Sequence, residues 1–264
     1  MTAAEFLLTT KMNHATVKIG FTPDEEVGSP WSKPIQHRYA AICDKVFVFE
    51  AGGNHGEVTV ERKGATSLSV TIHGRAGHAG YMFTNGSLSA VTEAVHWVNT
   101  LNQFHSQEMD TTVNVGIFRA GEKRNVVAPT ATVDWDIRYS RREIKEQLEQ
   151  CVQSLKEHAE SLGYQVEFHV FKSTPALVPD ERTLQYVERM RKVAQRMGRP
   201  LLLKKRGGTS DANHISACGP VCIDSLGPTG DFDHSDREYL SIDTIEPYTQ
   251  FAYELICDLA EPNP

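Results

Sequence analysis

The stretch SRREIKEQLEQCVQSLKEHAESLG, residues 140–163, decides the fold. Ile144, Leu148, Val152, Leu155, Ala159 and Leu162 recur at helical spacing, charged residues fill the other faces, and Gly163 stops the run. Ser140 with Glu143 three residues later predicts a capping box at the start. Residues 165–171 (QVEFHVF) follow as a strand. Upstream, residues 112–118 and 126–137 read as strands, residues 88–101 as an amphipathic helix, and residues 67–73 (SLSVTIH) as an alternating strand. The resulting order, β-α-β-β-α-β, is that of a ferredoxin-like sandwich.

On either side the texture changes. Residues 45–50 (KVFVFE) are almost wholly apolar until Glu50, residues 16–22 (TVKIGFT) read as a strand, and residues 1–11 suit a helix with one buried face. Beyond Pro175 and Pro179, Leu184, Val187, Met190, Val193 and Met197 form a helical stripe that ends at Gly198. Residues 201–203 and 221–223 are short apolar strands, and residues 241–259 a final amphipathic helix. Near-continuous apolar strands linked by helices predict a parallel sheet covered on both faces. The expected fold is therefore α/β, truncated at its N-terminus, with an inserted α+β domain. Its first part is residues 1–60, the insertion residues 61–172, and its second part residues 173–264.

Composition narrows the function. The chain has 264 residues, 40% apolar and 23% charged, which is ordinary for a globular protein. A net charge of -7 argues against a nucleic-acid partner held by a basic groove. No apolar stretch approaches the length of a membrane-spanning helix, and the opening residues carry no readable signal peptide. The five cysteines, Cys43, Cys151, Cys218, Cys222 and Cys257, are odd in number, scattered, and form no CxxC. They read as small buried hydrophobes in a chain of the reducing cytosol.

Three loops carry the chemistry. TPDEEVG, residues 22–28, follows a predicted strand, where α/β proteins place their sites. Taken alone, three adjacent carboxylates also read as a solvated turn. Glu50 ends an apolar strand, where an unpaired carboxylate is costly unless the strand end is solvated. The loop Asp231-Phe-Asp-His234-Ser-Asp-Arg-Glu238 is dense in oxygen and imidazole donors. Glu, Glu and His are donors that zinc accepts, although no local zinc motif such as HExxH is present.

The segments TPDEEVGS, FEAGG, IHGRAGHAG, NVVAPTATVDWDIR, RGGTSDA and HSDREYL stand in the order found in the M20 family of zinc-dependent amide hydrolases. The resemblance runs along nearly the whole chain. It implies hydrolysis of an amide bond in a small peptide or N-acyl amino acid, with two zinc ions. It also implies a homodimer paired through the inserted domain, with no nucleic acid or membrane as partner. Carried over by matching position, Glu25 is the general base, Glu26 and His234 ligate one zinc, and Glu50 ligates the other. His78 matches a lid histidine that steadies the oxyanion in the partner subunit's site. Asn125 and Arg138 match lid residues that grip the substrate carboxylate, and Gly207 and Gly208 a turn that brings backbone N–H groups to the substrate. The plainest alternative is that the glycines and Asn125 only shape turns.

In the family, Glu at the position of Glu50 goes with carboxypeptidases and deacylases. That activity is expected ahead of a peptidase T-like aminopeptidase, which the opening MTAAEFLLT and KIGFTPDEE resemble. The family's His-x-Asp motif and metal-bridging Asp have no counterpart, and His14, His37 and His55 do not stand at matching positions. The resemblance thus implies an incomplete zinc set and weak or absent hydrolysis by this chain. A non-catalytic dimeric binding protein is the remaining alternative.

Overall fold

The computed structural model of the protein describes residues 16–260. In chain order the helices are Lys33–Ala40 (α1), Ala90–Leu101 (α2), Arg142–Ser161 (α3), Glu181–Arg196 (α4), Asp211–Ser216 (α5) and Ile245–Ala260 (α6). The strands are Lys45–Phe47 (β1), Glu57–Arg62 (β2), Gly64–His73 (β3), Thr112–Ala120 (β4), Thr130–Tyr139 (β5) and Gln165–Thr174 (β6). Leu202–Arg206 (β7), Val221–Ile223 (β8), Gly230–Asp231 (β9) and Tyr239–Leu240 (β10) complete them. One compact unit holds residues 63–176 with 207–209, and a second holds the other described residues. The α/β fold with an inserted α+β unit is the observed one.

In the inserted unit the sheet order is β4-β5-β3-β6, every pair antiparallel. That order is the ferredoxin-like one. Alternate residues of β3 and β5 are buried, as a sheet covered on one face requires. Leu68, Ile72 and Ile137 pack there with Trp97 and Leu101 of α2 and Leu148 of α3. The buried Trp97 indole donates to Glu93 at 3.1 Å, so the one buried carboxylate of α2 is partnered.

Two local expectations fail in this unit. The capping box does not form: α3 is capped at Arg141 with no side-chain bond, and Ser140 donates to Asp110 instead, at 2.6 Å. A nearly buried hydroxyl facing a carboxylate takes the charge-assisted partner in preference to a backbone N–H. The strand expected from residue 126 begins at Thr130. Pro129 cannot donate to a ladder, and the preceding Val127 N–H turns to the Gly77 carbonyl at 2.8 Å.

In the second unit β1 pairs in parallel with β8, and β2 in parallel with β7. Val58, Val60 and Ile223 are buried against α4 and α6 through Tyr186, Met190, Phe251 and Leu255. Residues 16–22 join no ladder; the segment is exposed, and no strand among the described residues pairs with it. The strand expected at 201–203 runs on through Lys204, Lys205 and Arg206, because β7 lies open to solvent and tolerates charge. β2, α1, α5, β9 and β10 have no counterpart among the elements expected from the sequence. The helix expected at residues 1–11 lies outside the described residues.

Candidate metal and hydrolase site

The second unit gathers the acidic loop, Glu50 and His234. Glu25–Val27 forms a single 3₁₀ turn closed by Gly28, whose φ of 85° is the left-handed conformation that glycine adopts freely. Asp24 is buried and accepts the Trp31 and Ser32 N–H groups at 2.8 and 3.0 Å, so it shapes the loop from within. Glu25 is left half-buried and Glu26 exposed. Glu50 follows β1, where its carbonyl accepts the Gly227 N–H at 2.9 Å. Burial, then the neighbouring carboxylates of Asp224, Glu25 and Asp211, push the Glu50 carboxyl up to about 7.

His234 sits in the loop joining β9 to β10 at a φ of 62°, an uncommon conformation for a residue with a Cβ. Its Nδ1 lies 3.7 Å from Oε2 of Glu26, and its N–H donates to Glu238 at 3.2 Å. The structure therefore brings Glu26 to His234 and sets Glu25 within electrostatic reach of Glu50, although these residues are far apart in sequence. Among the described residues no three acidic, imidazole or thiol groups stand close enough together to hold an ion. The donor chemistry nonetheless fits a cation. Glu26 and His234 are donor types that zinc accepts, and the negative charge that helps burial raise Glu50 is one that a cation would relieve.

The inserted unit carries the remaining candidates. His78 caps the 3₁₀ turn Ala79–Tyr81, and its Nδ1 accepts the Gly80 N–H at 3.1 Å. In the neutral ring that bond assigns the proton to Nε2, which makes the outward edge a donor. The Asn125 carbonyl accepts the Ala79 N–H at 3.0 Å, so His78 and Asn125 share one exposed loop pair. Arg138 is elsewhere. The pairing His73 to Thr130 marks the loop end of the sheet, and Ala65 to Arg138 the opposite end. Along β5 that separation is roughly 27 Å. Asn125 and Arg138 of one chain are thus not brought together on one carboxylate. Moreover, Asp136 holds the Arg138 Nε and Nη2 at 2.7 and 2.9 Å. Gly207 and Gly208 follow β7 with nothing within 4 Å of where a Cβ would stand.

Sequence reasoning passed over one residue here. Asp211, 6% exposed, accepts bonds from Thr22, Ser29, Gln36 and His214. His214 in turn meets His37 at 3.1 Å. The legible signal was Ser210 with Asn213 three residues on, which form a complete capping box and place Asp211 at the start of α5.

Residues 60–167 match the M20 peptidase dimerisation domain. Carboxypeptidase G2 of Pseudomonas sp. is 28% identical over 253 residues, which are 94% of this chain and 60% of that protein. Residues 60–167 thus carry an M20 peptidase dimerisation domain, and the chain as a whole is similar to M20 peptidases. Peptidase T of Clostridium botulinum, another relative, is 28% identical over 99% of this chain and 62% of its own length. The chain thus spans about three fifths of the length of these relatives. Among solved structures, aminopeptidase PepT of Bacillus cereus shares the fold at a TM-score of 0.76 and 22% identity, over 98% of this chain and 68% of that one. The YXEP protein of Bacillus subtilis, described as a dinuclear metal-binding M20 peptidase, shares it at 0.66 and 17% identity, over 91% and 64%. Among the described residues no helix is long and apolar enough to cross a membrane.

Proposed function

We propose that this chain carries part of a carboxypeptidase- or deacylase-type site that hydrolyses an amide bond in small peptides or N-acyl amino acids, with zinc as the metal. The observation that carries this reading is the approach of Glu26 to His234 at 3.7 Å in the same unit as Glu25 and Glu50, whose carboxyl feels the charge of Glu25. Glu26 and His234 would hold one ion and Glu50 the other. Bound zinc supplies Lewis-acid activation of water and of the scissile carbonyl. Glu25, half-buried on a turn shaped by Asp24, accepts the proton of the attacking water and returns it to the leaving amine. Gly207 and Gly208, where a Cβ would meet open space, give the substrate room beside the chain, and Arg138, oriented by Asp136, meets its carboxylate.

His78 presents a donor suited to an oxyanion. Its loop and Arg138 stand at opposite ends of one sheet, so a single chain does not bring both to one small substrate. A homodimer in which each subunit lends His78 and Asn125 to its partner accommodates that separation, and the matched dimerisation domain supports it. The free cysteines suit a reducing cytosol.

A second reading, a peptidase T-type aminopeptidase, is favoured by 28% identity to peptidase T along 99% of this chain. Assaying N-acyl amino acids beside free and N-acetylated tripeptides, with zinc added, separates the two. Slow cleavage of the acylated substrates, stopped by a chelator, is the expected result, in line with an incomplete ligand set. Cleavage confined to tripeptides with a free amino terminus decides for the aminopeptidase. Glu25→Gln should lower kcat by about 10²–10⁴ with zinc content unchanged. Zinc lost together with activity would make Glu25 a ligand instead.

A further inference from the structure

Loop 22–29 holds both Glu25 and Glu26, and both of its ends are tied to one side chain. Thr22 at the entrance donates to Oδ2 of Asp211 at 3.4 Å, and Ser29 at the exit donates to Oδ1. Ser29 is 1% exposed and sits at a φ of 56°, a left-handed conformation that a serine holds only when its surroundings fix it. The other two acceptor positions of Asp211 are filled by Gln36 of α1 on Oδ2 and by His214 on Oδ1, the latter at 3.0 Å. An ionised carboxylate has about four lone-pair sites, so this one is fully used by protein donors and has none left for a metal ion.

The anchor beneath it is rigid. Ser210 caps α5 and also donates to the wholly buried Asp224 at 2.7 Å, and Asp224 is paired with Arg62 at 2.6 Å. Asp211 is therefore fastened to β8 and β2, the strands that carry the core of this unit, while its carboxylate faces the loop.

We propose that Asp211 is the positioning residue of the proton-transfer loop: by receiving the hydroxyls at both ends of residues 22–29 it fixes where Glu25 and Glu26 stand. This rests on the functional reading above for what the loop does, but not for its attachment. Catalysis tolerates displacements of well under 1 Å at such a group, so a loop freed at both ends places Glu25 correctly only part of the time.

Hydrogen exchange of the full chain, read by mass spectrometry, tests the attachment. Asp211→Asn replaces one acceptor oxygen by a donor that opposes the existing donors. Exchange over residues 22–32 should quicken at least tenfold, with residues 63–176 exchanging as in the parent. Ser29→Ala should quicken the same segment less, and the double variant should be no faster than Asp211→Asn, because both changes remove one linkage. In the hydrolysis assay Asp211→Asn should lower kcat at least tenfold with KM within twofold.

Parent-like exchange over residues 22–32, independent effects of the two substitutions, or a measurable kcat that does not fall would each overturn the proposal. Should Asp211→Asn not fold, Ser29→Ala and Thr22→Val decide it, since each should loosen the loop at parent-like melting temperature. Activity that survives Glu25→Gln counts against the hydrolase reading alone and leaves the exchange result standing.

Discussion

The Arg138 guanidinium meets both carboxylate oxygens of Asp136, at 2.7 and 2.9 Å, from two positions along the same strand. Residues two apart on β5 project to the same face, so the pair is a direct product of strand geometry. Its role is orientation more than stability, because both side chains are about a third exposed or more. Asp136→Asn should therefore change unfolding free energy by less than about 1 kcal/mol. In the hydrolysis assay it should raise KM for a substrate with a free carboxylate severalfold with little change in kcat. A KM unaffected by both Asp136→Asn and Arg138→Ala would remove Arg138 from substrate binding.

The separation of His78 from Arg138 gives a test of dimeric action. His78→Ala and Glu25→Gln are each expected to be nearly inactive, the former by about 2.7–4 kcal/mol of lost oxyanion stabilisation. Mixed under subunit exchange, they should recover roughly a quarter of parent activity, since in a two-fold dimer each heterodimer keeps one intact site. No recovery, with exchange verified by mass spectrometry, would confine His78 to its own chain.

Ser140 and Asp110 offer a test of packing against local signal. Asp110 also binds Lys63, at 2.5 Å, so the hydroxyl joins a charged pair. Ser140→Ala should destabilise by about 1.5–3 kcal/mol, as loss of a hydrogen bond to a charged group does. Combining it with Asp110→Ala in urea titrations should give less than the sum. Strict additivity would show that Ser140 acts on the helix start after all.

Asp180 caps α4, accepting the Thr183 N–H at 2.8 Å and its hydroxyl at 2.7 Å. Burial raises its carboxyl, but these bonds and Arg182 outweigh burial and hold it below 3.8. A depressed folded value means the stabilisation is complete above the unfolded value and fades as pH falls through the folded one. Asp180→Ala should accordingly cost about 1 kcal/mol at neutral pH. The gap to the parent should narrow below pH 3.8, which urea titrations across pH will show.

The elements legible in the sequence were those whose period repeats often enough to be unambiguous. Leu148, Val152 and Leu155 stand where the stripe of α3 puts them, and Val70 and Ile72 alternate on β3 as read. What failed was decided by partners outside the local window. Ser140 bonds to Asp110, the segment 16–22 finds no strand to pair with among the described residues, and β7 continues through lysines because its side chains face water.

The sequence by itself determined the layered α/β and ferredoxin-like pattern, because hydrophobic period and turn residues act over a few neighbours. It also supplied the candidates Glu25, Glu26, Glu50 and His234 as donor types. Only the tertiary structure decided that Glu26 faces His234 and that carboxylates crowd Glu50, since those residues meet only once strands distant in the chain have paired. It alone made Asp211 the common acceptor of Thr22, Ser29, Gln36 and His214. A buried carboxylate takes whichever donors the packing delivers, and no local pattern specifies them.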